Sequence, residues 1–144
     1  MGDDGFGPRV IDILSKHDLP ENVEVRDIGT AGITIATDLS DYDYVIFLDT
    51  MKMEGDFGNI HMSRLEVEED INDISDLAKT TLHEVGLEGL LRFSKTIGTL
   101  PSKVVLIGCK PKKITVSLEL SPEVEHSTIV AANMVLNLLK KEKN

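Results

Sequence analysis

The chain has 144 residues and a mass of 15.9 kDa, enough for one domain of ordinary size with a proper core and little room for a second. Lys plus Arg total 15 against 25 Asp plus Glu, a formal net charge of −10, so a surface that tracks nucleic-acid phosphates would work against the average field of the molecule. Hydrophobic residues make up 41% of the chain, too many for disorder, yet the longest apolar runs fall far short of the roughly 20 residues that span a bilayer, so neither a nucleic acid nor a membrane is an expected partner. Val10, Ile13, Leu14 and His17 recur at three- and four-residue spacing, which predicts a short helix with one buried stripe, finished before Pro20. Asn22 to Asp27 alternates Val23 and Val25 with polar neighbours and predicts a strand; Gly29-Thr30-Ala31-Gly32 then turns the chain toward a helix over Ile33 to Leu39.

Tyr44 to Leu48 is a nearly continuous apolar run closed by Asp49, which predicts an interior strand covered on both faces in a parallel sheet. Gly55 to Gly58 reads as a loop, Ile60 to Leu65 as a further strand, and the acidic stretch Glu66 to Asp76 as a solvated connection. Leu77, Leu82, Leu87, Leu90 and Leu91 predict helical structure between Asp76 and Phe93, with a break near Gly86. Lys103 to Gly108 supplies a second apolar strand that Pro111 prevents from simply continuing, and Ile114 to Leu120 a short one. Ser121-Pro122-Glu123 opens a terminal helix, with Ser121 as cap, Pro122 at the first helical position and Val124, Ala131, Val135 and Leu138 along one face. The charged end, residues 140–144, is expected to fray. Alternating strands and helices predict a three-layer α/β/α fold with a mainly parallel central sheet, whose chemistry lies beyond the carboxyl ends of the strands. Asp49, Cys109 and the residues after Val25 stand on that rim.

Asp3 and Asp4 lie in a glycine-rich opening that has neither the Walker lysine nor the dinucleotide glycine spacing, so they read as helix caps or as a carboxylate pair rather than as part of a phosphate cradle. Asp49 can ligate a metal, orient a histidine or cap the next turn. His83, beside Thr80, Thr81 and Glu84, is either a ligand or an ordinary helix side chain. Asp4, Asp49 and His83 together offer two carboxylates and an imidazole, a set suited to Ni²⁺ or Zn²⁺ with open positions. Cys109 excludes an internal disulfide and reads as a small residue at a strand exit rather than a nucleophile; His17, His61 and His126 read as helix-stripe, strand and exposed helix residues. The opening MGDDGFG lacks the basic and apolar segments of a secretory signal, which makes the cytoplasm the expected location.

Several segments taken together resemble the hydrogenase maturation endopeptidase family: Asp3-Asp4-Gly5-Phe6-Gly7-Pro8-Arg9-Val10, Asp27-Ile28-Gly29-Thr30-Ala31-Gly32, Ile46-Phe47-Leu48-Asp49 and Leu82-His83-Glu84. Val105-Leu106-Ile107-Gly108-Cys109-Lys110-Pro111 and Leu118-Glu119-Leu120-Ser121-Pro122-Glu123-Val124 carry the likeness almost to the end of the chain. The Asp-Asp-Gly-Phe-Gly-Pro opening is most similar to the proteases associated with coenzyme F420-reducing hydrogenases of methanogenic archaea. This resemblance implies one phosphorylase/hydrolase-like domain over residues 1–144, and an endopeptidase that acts once on the precursor of a nickel-iron hydrogenase large subunit. It implies removal of a C-terminal extension after nickel has entered the precursor, with nickel supplied by that substrate and no organic cofactor. The metal-contacting acids fall on Asp4 and Asp49 and the histidine on His83. Asp27 is a further catalytic or recognition residue, with Gly29, Thr30 and Gly32 in a substrate-recognition loop. Whether catalysis is of the aspartyl type or assisted by the metal stays open, and the enzyme is expected to act as a monomer. Family members open with an apolar strand and a Gly-x-Gly-Asn segment before the acidic motif; this sequence starts at the motif, so the first strand is expected to be missing from the sheet. A noncatalytic maturation chaperone and an unrelated metal-dependent hydrolase are the competing readings.

Overall fold

A computed structural model describes residues 5–27, 32–50, 55–64, 87–111 and 120–142. The chain divides into two compact units, one made of Met1–Asp27, Ile46–Ser63 and Leu106–Asn144, the other of Ile28–Val45 and Arg64–Val105.

In the first unit, α1 (Phe6–Ser15) packs against the long terminal helix α3 (Pro122–Glu142). Phe6, Val10 and Leu14 recur one turn apart and are buried, each contributing about 1.5–3 kcal/mol by leaving water. Their partners are drawn from the apolar face of α3, where Val124, Ala131, Ala132 and Val135 are buried and Leu138 half-buried. Pro122 takes the first helical position, where its missing N–H costs nothing, and the Glu125 N–H opens the ladder by donating to the Ser121 carbonyl at 2.8 Å. Glu123 and Glu125 in the first turn and Lys140 and Lys141 in the last both suit the helix dipole, and the helix continues to Glu142. Arg9 reaches Asp12 at 2.7 Å and Glu125 at 3.5 Å; these half-exposed pairs are worth at most about 1 kcal/mol. His17 lies exposed beyond the end of α1, its Nδ1 3.0 Å from the Ile13 carbonyl, so it closes the helix instead of extending the buried stripe.

In the second unit, a 3-10 helix (Gly32–Asp41) packs against α2 (Leu87–Ile97). The segment expected as an α-helix is wound more tightly, as a 3-10 helix. Ile35, Ala36 and Leu39 on this helix and Leu90 and Leu91 on α2 are buried. Gly98 ends α2 in the left-handed region (φ +80°), and the Thr99 N–H returns to the Ser94 carbonyl at 2.9 Å. The Ser94 hydroxyl is buried without a hydrogen-bond partner among the described residues.

Three strands, β1 (Tyr44–Thr50), β2 (Ile60–Arg64) and β3 (Lys103–Cys109), form one sheet in the order β1-β3-β2. The Gly58 N–H donates to the Lys110 carbonyl at 2.9 Å and the Lys110 N–H to the Asn59 carbonyl at 3.0 Å, so β2 begins where β3 ends and the two run antiparallel. The fold is α/β, and the described sheet is small, open and mixed. This corrects the expectation of a mainly parallel, phosphorylase-like central sheet in a three-layer α/β/α arrangement. The physical reason is that apolar runs report burial, not strand direction, and β2 pairs with β3 from a short connection that follows β1.

Of the two apolar runs expected as buried strands, Lys103 to Gly108 is the more deeply buried in the described sheet. β3 holds the middle of the described sheet, with Val104 to Cys109 all buried, whereas Phe47 is the one buried residue of β1. The alternation over Asn22 to Asp27 forms no strand with any of the described residues; the Val23 N–H donates instead to the Pro20 carbonyl at 3.0 Å in a turn. The connection expected over Glu66 to Asp76, the helix expected before Leu87 and the strand expected over Ile114 to Leu120 lie wholly or mostly outside the described residues. Among the described residues no helix is long and apolar enough to cross a membrane.

Candidate active site

Because β2 and β3 are antiparallel and the sheet is mixed, β1 and β3 run parallel, and their carboxyl ends emerge at the same end of the sheet. Asp49 is the penultimate residue of β1 and is exposed there. Its Oδ1 accepts a hydrogen bond from the Thr50 N–H at 2.8 Å, which holds the carboxylate against the backbone as the strand leaves the sheet. The residue before it sets how closely α1 can approach: a Cβ on Gly7 would stand 2.8 Å from the Leu48 carbonyl oxygen. Glycine at position 7 therefore lets α1 lie directly on the backbone next to Asp49. That accounts physically for one glycine of the opening motif.

Cys109 occupies the equivalent place on β3 with the opposite character. It is fully buried, and its Sγ lies 3.8 Å from the Lys110 carbonyl. A sealed thiol in an apolar strand is not a reactive one.

Asp27 is exposed at the end of the described 5–27 segment, and Gly32 begins the 3-10 helix. Asp4, Gly29, Thr30 and His83 lie outside the described residues. Among the described residues no group of three or more His, Cys, Asp or Glu side chains is placed to hold a metal ion. His61 on β2 and His126 on α3 are exposed.

The loop expected over Gly55 to Gly58 is present, but sequence reasoning missed the part that Lys110 plays in holding it. Lys110 Nζ donates to the Gly55 carbonyl at 2.6 Å and lies 5.3 Å from the centre of the Phe57 ring. These partners are more than fifty positions apart in the chain, and no local pattern marks them.

The family model for hydrogenase maturation proteases matches residues 8–138. The crystal structure of a hydrogenase 2 maturation peptidase from a Thaumarchaeota archaeon is 59% identical, with a TM-score of 0.73 over 96% of this chain and 90% of that one. The hydrogenase maturating endopeptidase HybD of Escherichia coli is 27% identical, with a TM-score of 0.79 over 99% of this chain and 86% of its own. A hydrogenase expression/formation protein of Rhodobacter capsulatus is 28% identical over 113 residues, 78% of this chain; the chain spans about half (52%) of the length of that curated relative.

Proposed function

The chain belongs to the hydrogenase maturation protease family, a family of endopeptidases, and from that premise we propose that it cleaves the precursor of a nickel-iron hydrogenase large subunit, removing a C-terminal extension once nickel has been loaded. The observation that carries this reading is the match of the family model over residues 8–138, nearly the whole chain. In it, Asp4, Asp49 and His83 meet the nickel that the precursor brings, so that metal loading decides which substrate is processed. A nickel ion held by the substrate can polarise a carbonyl or acidify a water. The part of this chain is to receive and orient: the carboxylates of Asp4 and Asp49 and the His83 imidazole present electron pairs to the metal, and a carboxylate manages the proton of the attacking water. Asp27, with Gly29, Thr30 and Gly32, forms the recognition loop, where glycines let the backbone come close to a peptide. The coenzyme F420-reducing enzyme of methanogenic archaea is the proposed hydrogenase, a choice supported by the Asp-Asp-Gly-Phe-Gly-Pro opening. The exposure of Asp49 at the mouth of β1 fits this role.

The test is intact-mass analysis of the purified precursor, with and without nickel, after incubation with this chain. Loss of one C-terminal peptide from the nickel-loaded form alone is the expected result. Binding without any loss of mass would turn the reading to a maturation chaperone, and cleavage irrespective of nickel would remove the metal from recognition.

A further inference from the structure

At the rim where β1 and β3 emerge, residues 55–59 form a loop that is held far more firmly than its exposed position requires. Lys110, the first residue after β3, binds it from one side through its ammonium on the Gly55 carbonyl at 2.6 Å and through two backbone bonds, Gly58 to Lys110 at 2.9 Å and Lys110 to Asn59 at 3.0 Å. From the other side, the buried Ser127 of α3 donates its hydroxyl to the Gly58 carbonyl. The loop lies so close to α3 that a Cβ on Gly58 would stand 2.8 Å from the Glu123 carbonyl. Gly55 and Gly58 both have positive φ, +104° and +87°, a conformation that an L side chain would resist. All of these contacts lie within one compact unit, the one that carries Asp49.

What this scaffold presents is Phe57. The residue is 49% exposed, although the Lys110 ammonium sits 5.3 Å from the centre of its ring. An aromatic side chain left in water on a pre-ordered loop loses little conformational freedom when it binds, the property that makes such residues dominate interfaces. The loop also follows the exit of β1, six residues after Asp49.

We propose that Phe57 is a specificity-determining contact for the precursor, packing on an apolar side chain of the polypeptide to be cleaved, and that Lys110 is the positioning residue that holds it there. This rests on the proteolytic reading above.

Steady-state cleavage of the nickel-loaded precursor tests it. Phe57→Ala raises KM about tenfold, with most of the loss in kcat/KM falling on KM, and leaves the thermal midpoint in place. Ile97→Ala, which truncates a comparably exposed side chain (40%) on α2, changes neither constant. Lys110→Met removes the ammonium but keeps the stem and raises KM in the same direction, whereas Lys110→Arg restores a cation and donor and returns KM toward the parent value. A parental KM for Phe57→Ala, or a loss confined to kcat, overturns the proposal while the parent chain still cleaves. A parent chain that does not cleave overturns the proteolytic reading and this inference with it.

Discussion

β1 and β3 look alike in sequence and differ in the folded chain. Each is a run of apolar residues closed by a side chain capable of chemistry, Asp49 in one and Cys109 in the other. β3 takes the middle of the described sheet and buries every residue from Val104 to Cys109, so its thiol is sealed. β1 buries Phe47 alone and brings Asp49 into water beside the point where Gly7 lets α1 touch the strand backbone. A reactive group becomes available where a strand leaves its neighbours, not where the apolar run is strongest. The difference separates a carboxylate chemistry from a thiol chemistry on grounds of access alone.

The largest effect expected from this contrast is on cleavage. Asp49→Asn keeps the size of the side chain and removes its charge, and it slows processing of the nickel-loaded precursor by about 10²–10⁴-fold at an unchanged thermal midpoint, if the carboxylate takes the role proposed for it. On stability the ranking reverses toward β3. Ile107→Ala empties a fully buried site in the central strand and costs about 2–5 kcal/mol in denaturant unfolding. Gly7→Ala drives a methyl group into the Leu48 carbonyl and costs about 1–3 kcal/mol, with a fall in cleavage larger than the stability loss explains, because α1 is pushed off the backbone next to Asp49. Cys109→Ala has the smallest effect, about 1 kcal/mol in unfolding for one buried sulfur atom. An Ile107→Ala variant as stable as the parent would break the contrast at its structural end.

Much of the local structure was legible in the residues themselves. Of the stripe expected from Val10, Ile13, Leu14 and His17, Val10 and Leu14 are buried on a real helix, Ile13 is half-buried and His17 lies exposed past its end; Pro122 opens the terminal helix as its chemistry dictates, and both apolar runs are strands. What was not legible depends on partners far along the chain. Tyr44 to Leu48 looked as interior as Lys103 to Gly108, because hydrophobicity shows that a strand is covered without showing how many strands flank it. Val23 and Val25 alternate like a strand but find no ladder among the described residues, and both remain half-buried. Of the proposed site, Asp49 was located from its place at the end of an apolar run, and the structure puts it at an exposed strand exit. Asp27 is likewise exposed, while Asp4 and His83 lie outside the described residues. The role of Lys110 was not legible, since it arises from a carbonyl and a ring that only folding brings to it.

The most direct measurement compares the two strand exits in one assay. The nickel-loaded large-subunit precursor is incubated with the parent chain, with Asp49→Asn and with Cys109→Ala, and its intact mass is followed over time. The account predicts that Cys109→Ala releases the C-terminal peptide at the parental rate while the precursor stays full length with folded Asp49→Asn. Processing by Asp49→Asn at the parental rate, or its loss in a folded Cys109→Ala variant, would contradict it.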